Sequence, residues 1–173
     1  MPTDMGLGVP VRTEGHRYAA KVGAPFAVLG ICTNGSAVTG LAFLPLAERT
    51  QAPADRVAEA TVREIERYLA DPGYRFTVPL APIGTSFRQR VWTALRGIPR
   101  GEARTYGDIA RTVASSPRAV GQACGDNPIA LIIPCHRVVG ANGSLGGFMH
   151  AGGGDPVAIK RWLLDHERCR PGA

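Results

Sequence analysis

Cys135 and His136 stand side by side after a short apolar segment at residues 130–133. A thiolate is a soft nucleophile, and a neighbouring imidazole gives a thiol a route to ionisation. Pro134 fixes its own φ and biases the residue before it towards an extended conformation, so it sets the angle at which the pair is presented. Taken alone, the pair is equally compatible with a small buried cysteine beside a hydrogen-bonded loop histidine.

Two short helices are predicted just before this pair. Thr105 caps the first, over residues 106–113, with Asp108 at the third helical position as in a capping box. Ser116 caps the second, over residues 117–125, which begins with a proline. Two helices joined by a tight turn form a candidate helix-turn-helix.

The second of these helices offers few side chains that could read base edges. Apart from Arg118 and Gln122, its residues are mostly small, Ala119 among them. A smooth face lets a helix approach a DNA groove without demanding a base sequence. The same small residues would equally allow tight packing on a neighbouring helix, so both interpretations stay open.

The positive charge of the chain lies in its second half. Residues 1–82 hold eight Lys/Arg and eight Asp/Glu, whereas residues 83–173 hold twelve and six, and eleven of those twelve cations are arginines. Arginine suits bidentate phosphate contact, which favours a polyanion partner, with nucleic acid first. An arginine-rich composition without such a partner is the alternative. We take the two ranges as an N-terminal and a C-terminal lobe.

Length and cysteine usage narrow the class of protein. The 173 residues suit one domain, or two small lobes, with a real core. No apolar run approaches the ~20 residues of a membrane span, and residues 1–10 do not resemble a secretory signal. The scattered cysteines predict neither a metal site nor a disulfide framework, so we expect reduced thiols in a cytoplasmic protein. They are Cys32, Cys124, Cys135 and Cys169.

The N-terminal lobe is predicted to be a small antiparallel sheet with one helix. Two apolar runs, at residues 26–31 and 37–44, flank an Asn-Gly turn, which is a strong hairpin signal. Residues 55–70 have helical spacing, and residues 76–80 predict one more strand. Residues 1–20 are polar and irregular, and we expect them to be flexible.

The C-terminal lobe is predicted to be mostly helical. Residues 81–84 mark the boundary between the lobes. A helix follows that is capped by Thr85 or Ser86 and ends at Gly97, and a last helix covers residues 157–167.

Several short motifs together resemble a known family. In chain order they are Arg118-Ala119-Val120-Gly121, Asn127-Pro128, Ile133-Pro134-Cys135-His136-Arg137-Val138-Val139, Gly147-Phe148 and Lys160-Arg161-Trp162-Leu163-Leu164. In order and spacing they closely resemble the O6-alkylguanine-DNA alkyltransferases, also called methylated-DNA–protein-cysteine methyltransferases. The resemblance is strong over residues 83–168 and loose over the N-terminal lobe.

The resemblance implies an α/β fold and a repair reaction. The small sheet and helix would form an RNase H-like lobe, and the helical lobe would carry a winged-helix-like helix-turn-helix. The protein would be a monomer that needs no cofactor and binds no membrane. It would bind double-stranded DNA and flip O6-alkylguanine or O4-alkylthymine into a pocket. The alkyl group would move irreversibly to Cys135, so each molecule would act once.

The resemblance also implies roles around the nucleophile. His136 would act as a base through a water, and Glu167 would orient His136. Asn127 would brace the turn between the DNA-binding helix and an active-site strand. The main-chain carbonyls of Cys135 and Val138 would accept hydrogen bonds from the guanine amino group.

DNA contacts are implied for the helix-turn-helix. Arg118 would fill the gap left by the flipped base, with Ser116, Ala119 and Gln122 beside it on the duplex. Tyr106 would rotate the phosphate of the target nucleotide and serve as the donor that the leaving guanine needs. The substrate pocket would be formed by Tyr106, Val138, Phe148 and Pro134.

The chain departs from the family pattern at three places. Phe148 stands where many members have tyrosine, which leaves a stacking wall without a hydroxyl. The stretch at residues 149–157 is longer than the loop of many members, so the alkyl preference stays open. Cys32 is isolated and His16 lies in the irregular N-terminal segment, so the zinc site of some relatives is not expected.

Three other functions compete with this interpretation. A non-enzymatic lesion binder of the same fold lacks the reactive cysteine, whereas Cys135 is present. A helix-turn-helix regulator would need a helix that reads bases better. A thiol hydrolase acting on small molecules would leave the basic lobe without a purpose, and it would turn over rather than saturate.

Overall fold

The computed structural model describes residues 18–149 and 155–168. Most of the N-terminal segment expected to be flexible, His16, Cys169 and the middle of the loop expected at residues 149–157 lie outside the described residues. The elements are β1 (Ala20–Gly23), β2 (Val28–Thr33), β3 (Val38–Leu44), α1 (Arg56–Ala70), α2 (Ser86–Arg96), β4 (Arg104–Thr105), α3 (Tyr106–Val113), α4 (Pro117–Gly125), β5 (Val138–Val139) and α5 (Asp155–Arg168).

The first three strands form an antiparallel sheet in the order β1-β2-β3. The predicted hairpin is β2–β3, with Leu29 opposite Phe43. Its turn forms because Gly35 takes a φ of 87°, which few other residues tolerate, and because the Asn34 side chain accepts the N–H groups of Ser36 and Ala37, both at 2.9 Å.

The predicted helix at residues 55–70 is α1, which packs on the sheet. Asp55 caps it by accepting the N–H of Ala58 at 2.8 Å. The strand predicted at residues 76–80 does not form, although Leu80 makes a single parallel bridge to Val38 of β3. The Glu64 carboxylate of α1 accepts the N–H groups of Thr77 and Val78, at 2.8 and 3.2 Å, so these groups cannot join a ladder.

The predicted helices of the second half form with the expected caps. Thr105 and Asp108 make the full capping box of α3, and Ser116 caps α4 with proline in its first turn. The Trp92 indole of α2 donates to the Ala123 carbonyl of α4 at 2.8 Å, which ties the helices together. Gly84 lies against the same indole, where a Cβ would come within 2.4 Å of the ring.

The segment before Cys135 is not the expected strand. Residues 129–133 form a tight turn in which the N–H of Ile133 bonds to the Ile129 carbonyl at 2.9 Å, and Leu131 takes a φ of 81°. A single turn of 3-10 helix, Cys135–Arg137, follows. Only then does the chain extend, as β5 pairs in parallel with β4.

Both halves of the chain contribute to one hydrophobic core. The link is direct, because Leu41 of β3 donates its N–H to the Pro128 carbonyl at 2.9 Å and bridges to Ile129. The turn that carries Cys135 is therefore seated on the N-terminal sheet. Among the residues that the structure describes, no helix is long and apolar enough to cross a bilayer.

Candidate active site

Glu167 lies at the centre of a buried polar cluster. Its Oε1 lies 2.7 Å from His136 Nε2 and accepts the hydroxyl of Tyr68 at 2.8 Å. Arg137 donates from Nε to Oε2 and from Nη2 to Oε1, each at 2.9 Å. The exposed fractions of His136 and Glu167 are 0% and 2%. The expected partnership of these two residues is therefore present, and it is closed off from solvent.

The cluster sets the protonation of the histidine. Burial alone would raise the pKa of Glu167, but hydrogen bonds from His136 and Arg137 and the Arg137 charge hold that pKa well below its usual range. Burial lowers the pKa of His136, and Glu167 only partly offsets this. A neutral imidazole beside an ionised carboxylate places its proton on Nε2, an assignment that follows from the hydrogen bonds.

The other ring nitrogen of His136 is left with a free lone pair. Nδ1 is buried and has no hydrogen-bond partner among the described residues. Since Nε2 donates to Glu167, Nδ1 is the only ring nitrogen able to receive a proton. This is the geometry that a general base requires.

Cys135 lies at the wall of a cavity of about 380 Å³. The lining residues are Tyr106, Pro117, Arg118, Gly121, Cys124, Gly125, Cys135, Gly147, Phe148 and Met149. Burial raises the pKa of Cys135 to about 11, while Asn127 and Lys160 lower it. The thiol is thus protonated at neutral pH, and a base must remove its proton during a reaction.

Asn127 holds the turn that delivers the thiol. Its Nδ2 donates to the Ile133 carbonyl at 2.8 Å, and its Oδ1 accepts the N–H of Ile129 at 3.0 Å. Both bonds are buried. The side chain replaces the backbone partners that the tight turn at residues 129–133 cannot supply.

Lys160 is a site residue that the sequence analysis missed. Its side chain is fully buried, and Nζ donates to the carbonyls of Val138 at 2.6 Å and Gly147 at 3.0 Å. The ammonium lies 5.7 Å from the centre of the Tyr106 ring. The sequence did contain a sign of this role. Residues 160, 163, 164 and 167 lie on one face of a helix, so Lys160 and Glu167 both interrupt a face that is otherwise apolar.

The residues expected to contact DNA lie on one exposed surface. Ser116, Arg118 and Gln122 are exposed on α4, and Ala119 is partly exposed between them. Arg118 also lines the rim of the cavity. Tyr106 lines the same cavity. Burial is the main cause that raises its pKa to about 12, so its phenol stays protonated and can donate a hydrogen bond.

The structure separates the residues expected to form the pocket. Tyr106 and Phe148 line the cavity, and Phe148 packs edge-on against Phe43 of the sheet. Pro134 and Val138 do not line it: Pro134 faces a different cavity, and the Val138 carbonyl accepts the Lys160 ammonium.

The remaining cavity wall comes from residues without a predicted role. They are Gly121, Cys124 and Gly125, on one face of α4, and Met149. Within the described part of the chain, no group of three or more His, Cys, Asp or Glu side chains is placed to hold a metal ion.

Comparison with known proteins gives consistent matches. Residues 86–169 match the family described as 6-O-methylguanine DNA methyltransferase, DNA binding domain. The methylated-DNA–protein-cysteine methyltransferase of Mycobacterium bovis is 42% identical over 155 residues, which cover 86% of this chain and 91% of that protein. The relative from Methanosarcina acetivorans is 51% identical over 107 residues, and the chain spans 65% of its length.

Solved structures agree with these sequence matches. The Mycobacterium tuberculosis O6-methylguanine methyltransferase superimposes with a TM-score of 0.76 at 38% identity, covering 88% of this chain and 93% of that one. The M. tuberculosis OGT in complex with DNA gives 0.74 at 40% identity, covering 86% and 91%. Similarity of this extent, at 42% identity over 86% of this chain and 91% of the M. bovis protein, shows that the chain belongs to the methylated-DNA–protein-cysteine methyltransferase family.

Proposed function

We propose that this protein repairs alkylated duplex DNA by direct reversal. It takes the alkyl group of O6-alkylguanine, and of O4-alkylthymine, irreversibly onto Cys135, once per molecule. The observation that carries the proposal is a buried thiol on the wall of a base-sized cavity, next to a histidine whose Nδ1 is free and whose Nε2 is held by Glu167.

The reaction is a displacement at the alkyl carbon. Cys135 Sγ forms a bond to that carbon as the bond from the carbon to guanine O6 breaks, and the electron pair stays with guanine. The thiol proton passes through a water to His136 Nδ1, and the Tyr106 hydroxyl donates to the leaving guanine. The product thioether has no leaving group of comparable quality, so the protein does not turn over.

The buried cluster supports the histidine as its charge changes. When Nδ1 takes a proton, the imidazolium forms beside an already ionised Glu167, 2.7 Å from its Nε2. Tyr68 and Arg137 keep this carboxylate in place. The positive charge therefore develops where a counter-charge is pre-organised.

Recognition of the base uses the main chain around the nucleophile. The Cys135 carbonyl accepts a hydrogen bond from the guanine amino group. The Val138 carbonyl, which is not among the residues that line the cavity, accepts the Lys160 ammonium instead. Phe148 provides an apolar stacking wall.

The DNA is held by the helix pair α3–α4. This pair, with α2 and the short β4–β5 pairing, acts as a winged-helix-like unit in the C-terminal lobe, residues 83–173. Arg118 enters the duplex in place of the flipped base, Ser116, Ala119 and Gln122 lie along it, and Tyr106 rotates the target phosphate. Residues 1–82, with the three-stranded sheet and α1, form the RNase H-like lobe that supports the active-site turn.

The decisive experiment is a mass measurement on the whole protein and its peptides. After incubation with duplex DNA carrying O6-methylguanine, we expect one added methyl group on the Cys135 peptide, saturating at one per molecule and absent in Cys135→Ser. Lesion binding without a mass change would indicate a non-enzymatic binder. Continued turnover would indicate a hydrolase.

A further inference from the structure

A second cavity opens on the other side of the segment that carries Cys135. Its volume is about 490 Å³, and none of its lining residues also lines the Cys135 cavity. Pro134 and Arg137 form part of its wall, whereas Cys135 between them faces the first cavity. The two cavities therefore lie back to back, and no residue of α4 reaches the second one.

Four arginines surround this second cavity, which we call the arginine groove. They are Arg75, Arg96, Arg100 and Arg137. No carboxylate lines the groove, and the nearby Asp71 carboxylate accepts the N–H of Gly73 at 2.8 Å. Like charges around one cavity repel each other, and an anion between them would offset this repulsion.

Three of these guanidinium groups are available to a ligand. Arg75, Arg96 and Arg100 are exposed, and within the described ranges none of them makes a hydrogen bond or an ion pair. Arg137 is already bound to Glu167 and to the Ile98 carbonyl. Within the described residues, the groove thus presents three arginines without a partner, next to Arg137, whose guanidinium is held in place by Glu167 and Ile98.

The groove also has an aromatic wall. Tyr74 and Phe76 are half-buried in it with their rings edge to face, 6.1 Å between centroids. The Arg67 guanidinium lies over the Tyr74 ring at 5.7 Å. Guanidinium forks match phosphate oxygens, and aromatic faces stack on bases.

We propose that the arginine groove is a second nucleic-acid site that binds nucleotide phosphates, with a base against Tyr74 and Phe76. The phosphate belongs either to a single strand or to a free nucleotide. In both cases the cavity needs to hold only one nucleotide, which is the size of a small-molecule ligand. The site is separate from the Cys135 cavity, because the two share no lining residue.

The test measures binding of a fluorescein-labelled oligothymidylate of eight nucleotides by anisotropy, with the full chain. Saturating unlabelled, undamaged duplex occupies the α4 surface throughout. The variant Arg96→Ala/Arg100→Ala removes two groove cations. The matched control, Arg49→Ala/Arg56→Ala, removes two exposed and unpartnered arginines elsewhere, so the net charge is identical.

We expect the groove variant to bind the oligothymidylate at least about tenfold more weakly, and the control variant to lose less than about threefold. The dependence of log K on log salt should become shallower by about 1.4 in the groove variant, since each phosphate contact to a single strand contributes about 0.7. Methyl transfer to Cys135 should be unchanged in both variants, which confirms that both are folded.

Two results would overturn the proposal. One is an equal loss of affinity in the groove and control variants, which would mean that only net charge matters. The other is complete displacement of the oligothymidylate by duplex in the unmodified protein, which would mean that there is one nucleic-acid surface. Thymidine monophosphate added as competitor then separates the sources: displacement identifies a free nucleotide, and failure to displace identifies a strand.

Discussion

Cys135 is buried, which disfavours its thiolate, and neighbouring residues partly offset this effect on its pKa. Burial raises the pKa of its thiol to about 11, whereas the Asn127 hydrogen bond and the Lys160 charge lower it. In the proposed reaction His136 acts as a proton acceptor rather than as a charge, since burial lowers its own pKa and leaves the ring neutral. The thiol is inert until a substrate and the base act together.

Lys160→Met should slow alkyl transfer by about tenfold, because it removes a charge that lowers the pKa of Cys135 and one pKa unit changes the thiolate population tenfold. The measurement is the pH dependence of Cys135 alkylation by iodoacetamide, which should move to higher pH. Arg161→Met, at an exposed position next along α5, is the control. An unchanged pH profile in Lys160→Met would contradict the role given to the lysine.

Glu167 makes the stability of the protein depend on pH. Its pKa in the folded state lies below the unfolded value of about 4.3, so its contribution is fully present above that pH and is lost as the pH falls below it. We therefore expect the difference in unfolding free energy between the unmodified protein and Glu167→Gln to shrink as the pH falls from about 5 to about 3. Urea denaturation across this range measures it, and a constant difference would show that the fold does not lower the pKa of Glu167.

At the scale of elements, the helix pair α3–α4 is specified by its caps. The capping box of Thr105 and Asp108 and the Ser116 cap are complete within three residues, which is why they were predictable. The caps begin each helix at a defined residue and leave Arg118 exposed in the first turn of α4.

Arg118→Ala should weaken repair in duplex DNA more than in single strands or of the free base. In the proposed role the arginine is needed only where a flipped base leaves a gap in the base stack. Its loss should therefore lower the rate in duplex by about tenfold or more, the size expected for one charged contact. Rates of methyl transfer from the three substrates measure this, with Arg56→Ala as the control. Equal losses in all three substrates would rule out the finger role.

At the scale of the whole molecule, the active site is shared between the two halves of the chain. Tyr68 of α1 donates to Glu167 of α5 across 99 residues of sequence, and β3 holds the turn that leads to Cys135. The N-terminal lobe is thus part of the catalytic architecture, although it carries none of the excess charge.

Tyr68→Phe should lower the unfolding free energy by about 1.5–3 kcal/mol, the range for a hydrogen bond to a charged group. The carboxylate would keep His136 and Arg137, so methyl transfer should continue at a reduced rate. Tyr74→Phe is the matched control, because its hydroxyl makes no hydrogen bond within the described residues. Identical melting curves for the two variants would contradict the link between lobes.

Local patterns in the sequence determined much of the fold and the identity of the chemistry. The hairpin, α1, the capped helices and the adjacent Cys135 and His136 each depend on residues only a few positions apart. The strand predicted at residues 76–80 failed because Glu64, more than ten positions away, takes its N–H groups. The active-site strand failed because Asn127 stabilises a tight turn instead.

The tertiary structure alone decided which side chains surround the nucleophile and in what state. It buried Glu167 between Tyr68, His136 and Arg137, brought Lys160 to the Val138 carbonyl, and turned Pro134 towards the arginine groove. These contacts join residues between 22 and 99 positions apart. Burial and charge at such distances depend on how the elements pack, and no short pattern of residues encodes that packing.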